Sequence, residues 1–163
     1  MAPLRGASPD FTSGRDELDR SFAHHAPEAT PAGSARVYVA HRRERLVGYF
    51  ALCAGSVDPE RAGTRTRKGM PRHPIPVVLL ARLAVASDTQ GGGIGHLLVR
   101  RAGELTVRAA RLIAVRALIV DALDAETAAF YERVGFTPMQ AEALRLEILV
   151  KDLEPMIGRS IDD

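Results

Sequence analysis

The sequence predicts a mixed α/β (α+β) fold, in which helices on both faces cover a central sheet of six or seven strands. Three patterns indicate this fold: an alternating hairpin early in the chain, an apolar strand–helix–strand run, and a final pair of short strands. A length of 163 residues suits one compact domain. We therefore expect a single domain over 1–163, with a core at 11–151 and a tail at 152–163.

The N-terminal part of the chain predicts one helix and one hairpin. Residues 1–13 show no period and are expected to be irregular, whereas 16–22 have helical spacing. The segment 24–34 contains two prolines and a glycine, so it is predicted to be a loop. Apolar residues alternate at 36–41 and again at 46–54, which predicts two antiparallel strands joined by a polar turn.

The middle of the chain predicts a parallel strand pair. A long basic loop at 56–76 leads into a nearly continuous apolar run at 76–86, as expected of a strand covered on both faces. Apolar residues then recur every three or four positions from 94 to 112, which predicts an amphipathic helix. A second apolar strand at 117–120 completes the unit, and its crossover should be right-handed.

The last third predicts a capped helix and a terminal hairpin. Asp124 can cap a short helix at 125–134, and Gly135 lies where a left-handed residue commonly ends a helix. Two strands, at 136–139 and 144–151, should complete the sheet.

The charge distribution is uneven, although the net charge is only +2. Residues 36–82 contain ten basic and three acidic side chains, a net charge of +7, so the rest of the chain carries −5. Such a basic middle is typical of a protein that binds a polyanion, and a solvated basic surface is an equally good interpretation. The acidic Glu17 and Asp19 are expected to be solvated.

Several classes of protein are not supported by the sequence. The N-terminus lacks the apolar stretch of a secretory signal, and the longest strongly apolar segment, 75–85, is too short to span a bilayer. We therefore expect a cytoplasmic protein. Cys53, the only cysteine, lies in an apolar stretch and is interpreted as a small buried side chain. The histidines do not have metal-ligand spacing, so no metal is predicted.

A glycine-rich loop joins the apolar strand to the amphipathic helix. Four of the six residues from Gln90 to Gly95 are glycines. Main-chain amides at a helix N-terminus have no partner within the helix, and glycines let them approach a ligand, so the loop predicts a pyrophosphate cradle. A tight turn and a dinucleotide-binding fold are the alternatives, but the latter places its loop after the first strand. A nucleotide P-loop is excluded because Gly-Lys-Ser/Thr is missing.

Two stretches carry a recognisable pattern. The first reads Arg82-Leu83-Ala84-Val85, then Gln90-Gly91-Gly92-Gly93-Ile94-Gly95, and the second reads Ala129-Phe130-Tyr131-Glu132-Arg133-Val134-Gly135-Phe136. They resemble the acetyl-CoA signature Gln/Arg-x-x-Gly-x-Gly/Ala and the Phe-Tyr-x-x-x-Gly-Phe motif of the GNAT superfamily of N-acetyltransferases. The spacing between the motifs also matches, and the resemblance covers roughly 11–150. It implies one GNAT-type domain that uses acetyl-CoA as cosubstrate.

Further segments resemble a narrower group, the acetyltransferase toxins of bacterial toxin–antitoxin pairs. The segments read Phe11-x-x-Gly14-x-x-x-Leu18-Asp19, Gly48-Tyr49-Phe50-Ala51-Leu52, Met70-Pro71 and Pro74 to Val85. Members of that group acetylate the α-amine of aminoacyl-tRNA and block translation. The resemblance therefore implies aminoacyl-tRNA as substrate, a small ribbon-helix-helix antitoxin as partner and a possible homodimer.

The resemblance also assigns roles to residues. Tyr131 is the expected general acid for the departing CoA thiolate, with simple packing beside Phe130 as the alternative. Main-chain groups of Leu83 and Val85 are expected to pair with the pantetheine arm. The residues expected to bind the cofactor are Leu83, Ala84, Val85, Gln90, Gly91, Gly92, Gly93, Ile94, Gly95, His96, Asp124 and Phe130. Those expected to bind substrate or tRNA are Arg61, Arg65, Arg67, Lys68, Arg72 and Arg82.

Two departures from the family pattern leave questions open. Asp124 and Thr127 stand where the family often has asparagine and alanine, so Asp124 either weakens a CoA contact or serves only as a helix cap. Asp121 is the best candidate for a base, although a loop or cap role is the simpler interpretation. Two other functions remain possible: a GNAT enzyme acting on a protein N-terminus, lysine or small amine, and a non-catalytic CoA-binding module.

Overall fold

The computed structural model describes residues 2–3, 11–24, 29 and 31–158. Most of the predicted irregular lead-in and the end of the predicted tail lie outside the described residues, as do 25–28 and 30 of the loop predicted at 24–34. Residues 29, 31 and 32 have helical backbone, so the prediction of a loop there was wrong in part. None of the described helices is long and apolar enough to cross a membrane.

Among the described residues, seven strands form one mixed sheet, which confirms the predicted fold class and strand number. The strands are β1 (Ala2–Pro3), β2 (Arg36–Arg42), β3 (Arg45–Val57), β4 (Ile75–Val85), β5 (Ala117–Asp121), β6 (Thr137–Met139) and β7 (Glu142–Leu149). Their order in the sheet is β1-β2-β3-β4-β5-β7-β6. Strands β4 and β5 are parallel, and the pairs β1–β2, β2–β3, β5–β7 and β6–β7 are antiparallel.

Five helices flank the sheet among the described residues, besides helical backbone at 29, 31 and 32. They are α1 (Asp16–His24), α2 (Thr64–Arg67), α3 (Ile94–Ala110), α4 (Ala125–Val134) and α5 (Val150–Ile157). By its contacts the chain divides into a first unit, 1–53 with 81–99, and a second unit, 54–80 with 100–163.

The first unit packs α1 against the predicted hairpin. Phe22 and Tyr49 are almost fully buried, with ring centroids 4.7 Å apart, and the Tyr49 hydroxyl donates a 2.7 Å hydrogen bond to the main-chain oxygen of Leu18. The hairpin turns at Arg43 and Glu44, whose φ angles of 49° and 66° give the paired left-handed conformation of a two-residue hairpin. The polar turn was predicted, although neither residue is a glycine.

The second unit has its own apolar core, which includes Val57, Ile75, Val77, Ala117 and Met139. The ladder between β4 and β5 pairs 77–80 with 117–120, so the predicted strand–helix–strand unit is confirmed.

The prediction of a continuous loop at 56–76 was wrong in part. Strand β3 extends to Val57, and 64–67 form the short helix α2. Its backbone is held by Arg116, whose guanidinium donates hydrogen bonds of 2.9–3.0 Å to the main-chain oxygens of Arg65, Thr66 and Lys68. These contacts join residues about fifty positions apart, so no local pattern reveals them.

The two ends of the chain also differ from the prediction. Ala2 and Pro3 pair with Val39 and Tyr38, although 1–13 was expected to be irregular. At the other end, the predicted strand stops at Leu149, and 150–157 form α5 rather than strand and tail. The helix forms because Leu153 and Ile157, one turn apart, are both buried.

Candidate active site

Strand β4 leads towards the glycine-rich loop from Gln90 to Gly95, which is the donor loop because it is expected to bind the acetyl donor. Its ladder with β5 ends at Leu80, while β4 itself runs on to Val85. In this last stretch Ala84 is buried, Leu83 and Val85 are half-buried, and Arg82 is exposed. Main-chain groups of such a strand end can pair with an extended ligand as an added strand would, which is the arrangement expected for the pantetheine arm.

The glycine loop has the backbone geometry of an anion cradle. Gly91 and Gly93 have φ angles of 84° and 83°, and a Cβ at either position would meet nothing within 4 Å. Helix α3 begins immediately afterwards at Ile94, and its first turn contains no acidic residue. Unpaired amides at the positive end of a helix dipole, approached across open space, suit a pyrophosphate. Gly92 and His96 are exposed as well, whereas Gly95 is half-buried and the Ile94 side chain is buried.

Gln90 anchors the loop through its side chain. Its amide nitrogen donates hydrogen bonds to the main-chain oxygens of Ser13 at 2.7 Å and Val85 at 3.1 Å. The segment before it is a 3₁₀ turn, Ser87–Thr89, in which Asp88 forms an ion pair with Arg45. The first residue of the signature therefore positions the loop, a role that the sequence did not reveal because Ser13 is distant in the chain.

Tyr131 lies in the second unit on α4 and is buried, with 3% of its surface exposed. Its ring meets those of Phe130 and Phe136 edge-on, with centroids 5.2 and 5.4 Å apart. Burial raises the pKa of the Tyr131 phenol above its ordinary value. The hydroxyl therefore keeps its proton at neutral pH, as a general acid must before it acts.

The two departures from the family pattern contact each other. Asp124 is the N-cap of α4, and its Oδ1 accepts 2.8 Å hydrogen bonds from both the amide and the hydroxyl of Thr127. A carboxylate at this position also suits the helix dipole. The structure thus gives Asp124 the cap role and provides a partner that an alanine at 127 would lack.

Asp121, the candidate base, forms an ion pair. Its carboxylate lies 3.2 Å from Nε of Arg145, its partner in the β5–β7 ladder. The ion pair engages the carboxylate that the sequence offered as the candidate base. Asp121 is the last residue of β5 and forms an ion pair there, where the sequence suggested a loop or cap residue.

The profile of the acetyltransferase (GNAT) domain matches residues 33–138. The chain belongs to the GNAT family. It is therefore an acetyl-CoA-dependent N-acetyltransferase, as the two motifs predicted. A Mycobacterium tuberculosis relative described as a tRNA-acetylating toxin is 40% identical to this GNAT enzyme over 161 residues, 96% of each protein.

Solved structures support the assignment of the chain to the GNAT family. AtaT complexed with acetyl-methionyl-tRNAfMet matches this GNAT chain with a TM-score of 0.82 and 26% identity, over 91% of this chain and 90% of that one. A mutant AtaT toxin bound to the C-terminus of the antitoxin AtaR and acetyl-CoA matches with a TM-score of 0.81 and 26% identity, over 97% of both.

The basic segment of this GNAT enzyme contains two kinds of cation. The guanidinium of Arg61 lies 3.3 Å from a carboxylate oxygen of Glu142, and that of Arg65 lies 2.8 Å from a carboxylate oxygen of Asp152. Both side chains therefore form ion pairs at the surface. The other three predicted tRNA contacts, Arg67, Lys68 and Arg72, are exposed side chains. Arg82 belongs to the first unit, and its guanidinium donates to the main-chain oxygen of Ala81.

A cavity of about 260 Å³ opens on the second unit beside α2. Its wall includes Thr64, Arg65, Gly135 and Glu147, but neither Tyr131 nor any residue expected to bind acetyl-CoA. It is therefore distinct from the predicted donor site. The described residues contain no group of three or more histidine, cysteine, aspartate or glutamate side chains arranged to hold a metal.

Glu147 is a buried carboxylate with incomplete hydrogen bonding. It is 6% exposed and accepts hydrogen bonds from Thr66 and the backbone of Gly63, whereas Oε2 has no hydrogen-bond partner among the described residues. A Cβ at Gly63 would lie 1.8 Å from Oε1, so a side chain at this position would displace the Glu147 carboxylate. Burial raises the pKa of the Glu147 carboxyl.

The substitution Glu147→Gln is expected to change how stability depends on pH. A carboxyl whose pKa is raised by folding binds more protons in the folded state, so the enzyme should lose stability as pH rises through that pKa. The glutamine variant should lack this loss. Melting temperatures from pH 4 to pH 8 should show the variant gaining on the parent as pH rises, and parallel curves would contradict the assignment.

Proposed function

We propose that this chain acetylates the α-amine of aminoacyl-tRNA and thereby blocks translation as a toxin. The observation that carries the proposal is the 40% identity, along 96% of both proteins, to a relative described as a tRNA-acetylating toxin. The match to AtaT complexed with acetyl-methionyl-tRNAfMet supports the same acceptor. The cytoplasm, where charged tRNA is found, is the corresponding location.

The chemistry of the site favours an α-amine. A lysine side chain has a pKa of about 10.4 and needs a strong base, whereas an α-amino group has a pKa near 8 and is partly free at neutral pH. The best candidate base, Asp121, is held in an ion pair with Arg145. An acceptor that deprotonates into water therefore suits this enzyme better than lysine does.

The proposed reaction is a direct transfer from thioester to amine. Amides of the glycine loop and the start of α3 hold the pyrophosphate of acetyl-CoA, and the end of β4 holds its pantetheine arm. The free amine attacks the acetyl carbonyl, the carbon–sulfur bond breaks, and Tyr131 gives its proton to the CoA thiolate. The nitrogen loses one proton to water as the amide forms, and a proton from water restores the Tyr131 phenol. The thiolate has a conjugate pKa of about 8.5, below that of a phenol, so the transfer depends on positioning.

The decisive experiment supplies the enzyme with labelled acetyl-CoA and total charged tRNA. Label in material that is sensitive to nuclease and labile to base is expected, because an acetylated aminoacyl group stays esterified to RNA. Label confined to protein or polyamines would favour the alternative GNAT function, acetylation of an N-terminus, lysine or small amine. Acetyl-CoA binding without any turnover would favour a non-catalytic module.

The exposed cations are expected to contribute most to tRNA binding. Replacing Arg67, Lys68 and Arg72 together by glutamine should weaken tRNA binding and lower the slope of log affinity against log salt by about 2 to 3, since each lost phosphate contact removes nearly one counterion. The double variant Arg61→Gln with Arg65→Gln is the matched control. Its effect should be smaller because both side chains already form ion pairs. Equal salt slopes for the two variants would show that the exposed cations contribute no more to tRNA binding than the ion-paired ones.

Two partners complete the proposal. A small ribbon-helix-helix antitoxin is expected, and the match to AtaT bound to the C-terminus of the antitoxin AtaR supports it. Co-expression of the protein encoded next to this chain should restore growth that the toxin alone stops. A homodimer stays a prediction of the family resemblance, and light scattering of the purified protein tests it.

A further inference from the structure

Thr12 and Ser13, which belong to no helix or strand, form hydrogen bonds both to helix α1 and to the segment that begins the donor loop. On the α1 side, Asp19 Oδ1 accepts hydrogen bonds from the Ser13 amide at 2.8 Å and the Ser13 hydroxyl at 2.6 Å. Its Oδ2 accepts a bond from the Thr12 hydroxyl at 3.0 Å. The expectation that Asp19 is solvated was therefore wrong.

On the loop side, the same two residues supply their main-chain oxygens. The oxygen of Thr12 accepts a 2.9 Å hydrogen bond from the amide of Ser87, at the start of the 3₁₀ turn. The oxygen of Ser13 accepts the 2.7 Å bond from the Gln90 side chain, where the glycine loop begins. The carbonyls of Thr12 and Ser13 thus bind both ends of the segment 87–90, which leads into the glycines of the donor loop.

The position of Asp19 is fixed by the packing of its helix. It belongs to α1, which is packed by Phe22 and by the hydrogen bond from Tyr49 to Leu18, whereas Thr12 and Ser13 belong to no helix or strand. Hydrogen bonds to a carboxylate are stronger than those between neutral groups. Ser13 is also almost fully buried, so water cannot easily replace a lost bond.

We propose that Asp19 is a positioning residue for the donor loop, acting through Thr12, Ser13 and Gln90. The inference rests on the proposed role of that loop as the pyrophosphate cradle. Asp19 does not touch the donor in this proposal. It sets where the loop amides stand, so its loss should raise the KM for acetyl-CoA and leave the KM for the acceptor and kcat at saturating donor nearly unchanged.

The test compares Asp19→Asn, which keeps the shape but removes the charge and one acceptor, with Glu17→Gln, which removes the same charge from the exposed side of the same helix. Calorimetry should show CoA affinity about tenfold weaker for Asp19→Asn and unchanged for Glu17→Gln. Unchanged affinity in Asp19→Asn overturns the proposal. Failure of the parent protein to bind CoA overturns the proposed function instead.

A double-mutant cycle separates positioning from general destabilisation. If Asp19 acts through Gln90, adding Asp19→Asn to Gln90→Leu should cost much less CoA affinity than Asp19→Asn costs alone. Fully additive losses would overturn the connection. A KM for the acceptor that rises in step with that for acetyl-CoA, with a lowered melting temperature, would show a merely structural role and would also overturn it.

Discussion

Replacement of Tyr131 by phenylalanine is expected to lower kcat about a hundredfold or more, and to leave the affinity for CoA unchanged. The substitution removes one hydroxyl from a buried ring that packs against Phe130 and Phe136, so the packing survives. Without that proton donor, CoA must leave as a bare thiolate. Single-turnover measurements with saturating acetyl-CoA report this step directly, and calorimetry reports CoA binding.

The matched control is Tyr49→Phe. Tyr49 is equally buried, burial likewise raises its pKa, and its hydroxyl donates to the main-chain oxygen of Leu18. Its loss should cost about 1 kcal/mol of folding free energy and far less turnover. If Tyr131→Phe kept full turnover, or if both variants lost it equally, Tyr131 would not be the acid.

The pH dependence of the parent enzyme gives a second test of Tyr131 as the acid. Because the pKa of Tyr131 is raised by burial, its deprotonation should not limit the reaction between pH 6 and 9. Activity should instead rise with pH as the acceptor amine, with a pKa near 8, loses its proton. A fall in kcat within this range in the parent enzyme would contradict the proposed acid.

Local patterns predicted those parts of the fold whose signal lies within a few neighbouring residues. The cap at Asp124 and the end of α4 at Gly135, with a φ of 126°, were both predicted because capping is decided within one helical turn. The strand before the glycine loop was predicted from its nearly continuous apolar run, and the helix after it from hydrophobic periodicity.

The unpredicted features depend on contacts between distant residues. The ion pair of Arg65 with Asp152 was not predicted, because it follows from the placement of α5, which the sequence suggested was a tail. Likewise, the contact of Gln90 with Ser13 spans 77 positions. Such contacts follow from packing the sheet and its helices, and no period or motif encodes them.

The second large effect is expected at Gly93, which should tolerate no side chain. Its φ of 83° costs any L-residue about 1–2 kcal/mol, and a Cβ would project into the open space where the pyrophosphate is expected. Gly93→Val should therefore weaken CoA binding at least tenfold, more than the fall in melting temperature accounts for.

The neighbouring residue Gly92 gives a control for this prediction within the same loop. Its φ lies outside the positive range, and a Cβ there would meet the main-chain oxygen of Thr89 at 3.4 Å, an ordinary contact distance. Gly92→Ala should bind CoA far better than Gly93→Ala. Since both variants add one methyl group to one loop, a difference between them isolates the backbone conformation at Gly93. Equal affinities would mean that the positive φ of Gly93 is not what the donor requires, and that the cradle is formed by other amides.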